Sequence, residues 1–89
     1  MEEEIYIGEK PISRYITTAL ILGNSGCDRI VLKARGRLIK KAVDVAQILK
    51  RQYFPDANFD IEIGTEQVYR RDEPDRVLNV STIEITLII

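Results

Sequence analysis

The chain of 89 residues is 45% hydrophobic and 30% charged, which is typical of one folded, water-soluble domain, so we expect a single domain over residues 1–89. Its 13 Lys and Arg against 14 Asp and Glu give a formal net charge of −1, which by itself disfavours a nucleic-acid-binding domain, because such domains are usually basic. The lack of histidine and the single cysteine exclude an internal disulfide, a Cys/His metal site and histidine-based catalysis, so we expect no catalytic residue, no metal and no cofactor.

The first two predicted elements are a strand and a helix. Ile5 and Ile7 lie on one face of a short alternating run that ends at Gly8. Pro11 suits the first position of a helix, and apolar residues at positions 12, 15, 16, 19 and 20 have the spacing of one buried helix face. The Gly-Asn-Ser-Gly segment at 23–26 favours a helix end, so we predict a helix over residues 11–23.

A second strand and a longer helix follow. Residues 29–33 enclose an apolar run without strict alternation, which is typical of an interior strand buried on both faces. Gly36 ends this strand. From about Arg37 to Tyr53 apolar residues recur with helical spacing, and Pro55 ends the predicted helix.

Two long strands complete the chain. Residues 58–68 alternate between apolar and acidic side chains, and residues 80–89 alternate as well. The polar segment 69–79 between them predicts an antiparallel hairpin whose tip projects from the body. The order βαβαββ predicts an α/β fold of the α+β two-layer type: a four-stranded mixed sheet with both helices on one face and an extended hairpin of the last two strands.

No part of the sequence indicates a membrane protein. No apolar run approaches the ~20 residues that a membrane-spanning helix needs, and the acidic residues 2–4 stand where a secretory signal would be positively charged. We therefore expect a cytoplasmic protein with no membrane partner.

The charged residues are segregated along the chain. Eight basic residues and one acidic residue lie between positions 29 and 51, whereas seven acidic and two basic residues lie between 52 and 75. The densest basic group, Lys33-Ala34-Arg35-Gly36-Arg37, spans the junction of the second strand with the long helix. Exposed amides at a helix start attract anions, guanidinium groups match phosphate oxygens, and Gly36 permits close approach of the backbone. The alternative is that these residues are solubilising charges around a turn.

The first helix start is basic too, with Lys10 before it and Arg14 one turn further. Parallel strands of a βαβ unit end at the same edge of the sheet, so the two strand-to-helix junctions should lie together. We therefore predict one phosphate-binding surface, formed by Lys10, Arg14, Lys33, Arg35, Gly36, Arg37, Lys40 and Lys41.

Two further features point to macromolecular contacts. Arg70, Arg71 and Arg76 in the predicted hairpin tip could enter the minor groove of a duplex, although carboxylates at positions 72, 73 and 75 weaken this idea by pairing with them. Tyr53 and Phe54 are adjacent large aromatic residues that cannot both point inward from a helix end. We expect one of them at a subunit contact.

Four segments, in this order, carry a resemblance to a known family. They are Ile7-Gly8-Glu9-Lys10-Pro11 with Tyr15 following, the IVLKARGR segment at 30–37 leading to Lys-Ala-Val-Asp at 41–44, Tyr53-Phe54-Pro55, and Val80-Ser81-Thr82-Ile83-Glu84-Ile85. They resemble the Alba family, small chromatin and RNA-binding proteins of archaea with relatives in eukaryotes. The resemblance covers almost the whole chain.

The resemblance implies a chromosome-associated protein that coats or condenses double-stranded DNA with little sequence preference and also binds RNA. It implies a homodimer or a heterodimer with a paralogue, in which the second helix and the third strand form the interface. Lys10, Lys33, Arg35 and Arg37 would contact the nucleic-acid backbone, and Arg70, Arg71 and Arg76 would lie in arms along the minor groove.

The resemblance also assigns roles to three side chains beyond these backbone contacts. Lys10 matches a regulatory lysine whose acetylation weakens DNA binding, which makes a deacetylase a possible partner. Tyr53 and Phe54 match aromatic positions at which dimers pack side by side on DNA.

The sequence departs from the family pattern at Glu9, where members commonly carry lysine, and it lacks the basic tail often found at the end of the chain. These departures imply weaker DNA binding. Two alternatives stay open: an RNA-binding subunit in RNA processing of the ribonuclease P kind, and a protein-interaction module that pairs with a more basic paralogue.

Overall fold

The computed structural model describes residues 1–89, and its elements follow the predicted order. The strands are β1 (Glu2–Tyr6), β2 (Arg29–Arg35), β3 (Asn58–Tyr69) and β4 (Val77–Ile88), and the first helix is α1 (Ile12–Asn24). The second helical segment is continuous and consists of a 3-10 turn (Gly36–Leu38), α2 (Ile39–Ile48) and a π-helical turn (Leu49–Tyr53). Neither helix is long and apolar enough to cross a membrane.

The four strands form one mixed sheet in the order β1-β2-β4-β3. β1 pairs with β2 in parallel, whereas β4 is antiparallel to both β2 and β3. Both helices pack on the same face of this sheet. The predicted two-layer α+β fold is confirmed.

The core lies between the helices and this face of the sheet. It is a cluster of 17 buried residues, in which Ile30, Leu32 and Leu87 of the sheet meet Val45 and Leu49 of the second helical segment, all with essentially no exposed surface. On β2 the opposite face is also partly covered, because Val31 is buried. The prediction of an interior strand is confirmed, but the second face of β2 is buried only at Val31, since Lys33 and the exposed Arg35 also lie on it.

The first strand extends further toward the N-terminus than predicted. It starts at Glu2 because the parallel register pairs Glu2 with Arg29 and continues to Tyr6 opposite Lys33. Ile7 lies just past the strand, yet its amide still donates to the Lys33 carbonyl oxygen at 2.8 Å. The acidic residues 2–4 are thus part of the sheet, since backbone pairing does not depend on side-chain polarity.

The end of α1 also differs in detail from the prediction. The helix runs one residue beyond Gly23, and the residue with positive φ is Gly26, at 95°. Gly23 remains helical, and its missing side chain leaves room for Phe54, whose ring would lie 2.7 Å from a Cβ atom at that position. This glycine therefore serves packing rather than helix termination.

The hairpin of β3 and β4 is longer than predicted. β4 begins at Val77 instead of Val80, so the connecting loop shortens to residues 70–76. The last pair between β2 and β4 joins Arg35 to Thr82, whereas β3 and β4 continue to the pair Tyr69–Val77. Beyond β2 the hairpin is a two-stranded arm, which accounts for the elongated dimensions of 46 × 23 × 21 Å.

The alternation predicted for β3 is confirmed, but its apolar face is largely uncovered. Ile61 and Ile63 pair with Ile85 and Ile83 and so lie on the helix side of the sheet. They are nevertheless 55% and 83% exposed, because β3 is the edge strand and the helices pack over its neighbours.

Candidate nucleic-acid interface

The first strand-to-helix junction (residues 7–11) connects β1 to α1, and the second (residues 35–37) connects β2 to the second helical segment. The two lie against each other, as expected for junctions that follow parallel strands. Lys41, on α2, donates hydrogen bonds from its Nζ to the carbonyl oxygens of Gly8 at 3.1 Å and Lys10 at 2.9 Å. Lys41 therefore binds the first junction to the second helix. Its ammonium group is occupied by backbone oxygens, so within the predicted surface it acts as a cross-link.

Tyr15 binds the first junction from the core side. Its side chain is buried on α1, and its hydroxyl oxygen accepts hydrogen bonds from the amides of Gly8 at 2.8 Å and Lys10 at 3.2 Å. The sequence placed Tyr15 on the buried helix face but contained no signal for this role. Together with Lys41, this hydroxyl fixes the backbone that presents Lys10.

The second junction turns at Gly36, which has a φ of 59°. This left-handed conformation suits glycine because a Cβ atom would meet the following carbonyl oxygen. The turn separates Arg35, at the end of β2, from Arg37, in the first helical turn. Both side chains are exposed: Arg37 faces Glu9 of the first junction, whereas Arg35 faces Glu66 of the arm.

Lys10 and Arg14 are the cations of this surface without a partner. Both are exposed, and neither side chain forms an ion pair. They flank the start of α1, where unpaired backbone amides add positive potential. The structure therefore keeps two charges free for an anionic ligand at this end of the molecule.

The arginines of the second junction pair with carboxylates from other elements. Arg37 forms an ion pair with Glu9, and the Arg35 guanidinium lies 3.3 Å from Glu66 of the arm. All four side chains are exposed, so each pair contributes little to stability. A phosphate that binds either arginine must replace or tolerate this carboxylate.

Lys33 lies on the open face of the sheet and is the least exposed of the predicted cations with an ion pair. It pairs with Glu4 and, at 3.6 Å, with Glu84. Its pKa is raised above the ordinary lysine value, chiefly because the Glu4 carboxylate accepts a hydrogen bond from the ammonium group, with the charge of Glu84 adding to the effect. Lys33 therefore stays protonated, and its ammonium group faces carboxylates of β1 and β4 rather than the helix starts.

Lys40 is directed along the helix. Its ammonium group pairs with Asp44 at 2.8 Å, one turn further on α2, which is an ordinary exposed helix pair.

The arm tip shows the charge pairing that its sequence suggested. Arg70 lies 3.4 Å from Asp72, and Arg76 lies 3.3 Å from Glu73. Arg71 forms no ion pair and is the arginine of the tip that remains free.

The two adjacent aromatic residues at the end of the second helical segment differ in burial, as predicted. Tyr53 is exposed, whereas Phe54 is partly buried and packs against the core cluster and beside Gly23. Only Tyr53 remains available for contact with another molecule.

The model of the Alba family matches residues 3–62, which include both junctions. The chain is 42% identical over 87 residues to the DNA/RNA-binding protein Alba 1 of Archaeoglobus fulgidus, covering 97% of this chain and 94% of that protein. It is 39% identical over 87 residues to the DNA/RNA-binding protein Alba of Thermoplasma acidophilum, with the same two coverages.

Solved structures show the same architecture. Alba from Thermoplasma volcanium superposes with a TM-score of 0.89 at 38% identity, covering 98% of this chain and all of that one. Alba 1 from Trypanosoma brucei superposes with a TM-score of 0.70 at 21% identity, covering 96% of this chain and 67% of that one, and so shares the fold.

We expect Tyr15→Phe to lower the free energy of unfolding by about 1–3 kcal/mol, because the amides of Gly8 and Lys10 would have no acceptor. Denaturant titration measures this change, and hydrogen exchange should show faster exchange at these two amides. The matched control is Tyr53→Phe, which removes an exposed hydroxyl. Unchanged stability and protection in Tyr15→Phe would contradict the role assigned to the hydroxyl.

Proposed function

The chain belongs to the Alba family, and we propose that it is a dimeric DNA- and RNA-binding protein that contacts the phosphate backbone with little sequence preference. The relatives with 39–42% identity over nearly the whole chain are named DNA/RNA-binding proteins, and this supports the proposal. The whole of residues 1–89 acts as one binding domain in this proposal, which includes no catalytic step.

The observation that carries the proposal is the junction of two basic helix starts held together by Lys41. It brings the start of α1, with the free cations Lys10 and Arg14, next to the second junction, with Arg35 and Arg37. In this proposal these four residues form the junction surface. The phosphates of a duplex are a regular row of anions, and guanidinium groups and helix-start amides bind them without reading bases. A local surface of this kind explains how a chain of net charge −1 binds nucleic acid.

The dimer is supported by the uncovered apolar surface of β3. Ile61 and Ile63 lie side by side on the helix side of the sheet, and more than half of each side chain is exposed. Apolar surface beside a modest core is stabilised when a second subunit covers it. In our proposal a second copy or a paralogue packs there, so that two junction surfaces and two arms face the same duplex.

Each arm reaches along the duplex in this proposal. The arm extends beyond β2, and Arg71 carries the free guanidinium at its tip. Arg70 and Arg76 must exchange their carboxylate partners for phosphates. The arm is therefore a weaker contact than the junction surface, and coating or condensation of DNA depends mainly on the latter.

Lys10 is the proposed site of regulation. Its ammonium group is exposed and unpaired, so acetylation removes one of the free charges without breaking an internal ion pair. An acetylating enzyme acting on Lys10 would raise the dissociation constant and reduce occupancy of the chromosome. A deacetylase would lower the dissociation constant and restore that occupancy.

RNA binding in RNA processing is the second candidate, supported by the same surface and by the names of the relatives, which include RNA. Competition between duplex DNA and a structured RNA of equal length distinguishes the two. A clear preference for RNA would favour the processing role.

We expect the double variant Arg35→Ala/Arg37→Ala to weaken binding to every duplex alike. The slope of log K against log salt should become less steep by about 0.9 for each phosphate that the variant no longer neutralises. Fluorescence anisotropy on duplexes of different sequence, at several salt concentrations, measures both effects. The matched control is Arg29→Ala/Arg51→Ala, which removes two arginines from the opposite ends of β2 and the second helical segment. Affinity that is indifferent to salt would contradict the proposed function.

We expect Glu9→Gln to strengthen duplex binding by up to about 5-fold per subunit, because it frees Arg37 and removes a carboxylate from the phosphate surface. Glu3→Gln changes the net charge equally but removes an exposed carboxylate on β1 that forms no ion pair. The same anisotropy titration compares the two. Equal gains from both variants would attribute the effect to net charge alone.

We expect Ile63→Glu to raise the dissociation constant of the dimer at least roughly tenfold, because each subunit would bury an unpaired carboxylate in the contact. Sedimentation velocity over a concentration series measures the association. Ile21→Glu, on an exposed position of α1, is the control and should leave the dimer intact. A wild-type chain that stays monomeric at all concentrations would contradict the proposed dimer.

A further inference from the structure

Tyr6 is an exposed aromatic residue that the backbone contacts proposed above do not include. Tyr6 ends β1 on the face of the sheet opposite the helices, since its neighbour Ile5 lies in the core. Its side chain is 71% exposed, and its hydroxyl forms no hydrogen bond with the protein. A single exposed tyrosine is common, so its surroundings decide whether it has a function.

Tyr6 forms a wall of a cleft of about 550 Å³ at the end of the sheet where the two junctions lie. Ile7, Ala34 and Leu38 contribute its apolar lining. The volume lies within the range of about 300–1,000 Å³ that is typical of small-molecule sites. The cleft is therefore large enough for a planar ring system stacked on the tyrosine.

The tyrosine ring is flanked by a fixed cation. The Lys33 ammonium lies 5.7 Å from the ring centroid, and its ion pairs with Glu4 and Glu84 hold it in place. A lysine held by two carboxylates has little freedom to follow a phosphate. It serves instead to orient the ring.

The rim of the cleft presents donors and acceptors in balance. Its charged side chains are Lys33 and Arg35 against Glu66 and Glu84, and Thr82 adds a hydroxyl group. Two cations and two carboxylates cancel, so the cleft does not select an anion. It suits a neutral, planar ligand whose edge both donates and accepts hydrogen bonds, which is the chemistry of a nucleobase.

We propose that this cleft binds one unpaired nucleobase of RNA or single-stranded DNA, stacked on Tyr6, while the adjoining phosphates lie on the junction surface. The inference rests on the proposed nucleic-acid binding and adds to it a site for the base. Arg35 links the two sites, because it borders the cleft and is the last residue of β2, directly before the turn of the second junction.

A base inside a duplex cannot occupy this site. Its faces are covered by the neighbouring base pairs and its Watson–Crick edge is engaged, whereas bases in loops, bulges and single strands expose both. The cleft therefore distinguishes nucleic acids with unpaired bases from continuous duplexes. Stacking on an aromatic ring tolerates different bases, so the preference is for the unpaired state rather than for a sequence.

The test compares an RNA stem that carries one bulged 2-aminopurine with the same stem fully paired, and a single-stranded DNA with the same fluorophore distinguishes the sugar. We expect Tyr6→Leu to weaken binding to the bulged stem and the single strand roughly 5- to 100-fold and to leave the paired stem unchanged. Wild-type protein should quench the 2-aminopurine fluorescence, and Tyr6→Leu should not. Tyr6→Phe retains the ring and should behave as wild type, and Ile21→Ala controls for loss of an exposed apolar side chain. Thermal denaturation establishes that each variant is folded.

The outcomes separate this inference from the proposed function. Salt-dependent binding of the paired stem, with affinity for the bulged stem unchanged in Tyr6→Leu, would overturn the base site and leave the backbone function intact. Equal losses on bulged and paired stems would assign Tyr6 to backbone contact and also overturn the base site. A wild-type protein that binds none of the three nucleic acids would overturn both.

Discussion

The parallel pairing of β1 with β2 is the constraint on which the candidate interface depends. Two adjacent parallel strands need a crossover, which here is α1, and they end at the same edge of the sheet. The backbone hydrogen bond from Ile7 to Lys33 carries this pairing to the end of β1. The start of each helix must therefore lie beside the other, and the basic residues that surround them become one surface.

That proximity is secured by interactions that leave the outer charges free. Tyr15 satisfies the amides of the first junction from the core side, and Lys41 satisfies its carbonyl groups from α2. These interactions use backbone groups of the junction, and the side chains of Lys10 and Arg14 form no ion pair that an anion would have to break. The two arginines of the second junction differ, because each faces a carboxylate from a distant part of the chain. An anion that binds Arg35 or Arg37 must therefore replace a carboxylate, whereas an anion that binds Lys10 or Arg14 displaces no internal partner.

The same sheet separates three surfaces with different chemistry. The junction edge carries the free cations, the helix side of β3 carries Ile61 and Ile63, and the opposite face at the end of β1 carries the exposed ring of Tyr6. Their separation follows from strand alternation, which places neighbouring residues on opposite faces. The proposed dimer contact along β3 and the proposed nucleic-acid contacts at the junction edge therefore do not compete for the same surface, and the arm lies beyond the body of the sheet.

The sequence by itself determined the order of the elements, the alternation of β3 and β4, the juxtaposition of the two basic junctions and the family. These follow from local periodicity, from glycine and proline positions, and from the rule that parallel strands end at one edge. Strand ends were predicted less well, because pairing included residues 2–4 and 77–79, where apolar and polar side chains do not alternate. Only the tertiary structure decided which charges are free. Glu9 meets Arg37, Glu66 meets Arg35 and Glu4 meets Lys33 across separations that no local pattern encodes, and the Tyr6 cleft likewise forms from several strands and the turn after β2. The physical reason is that ion pairs and clefts depend on distances between side chains from different elements, which exist only once the sheet has assembled.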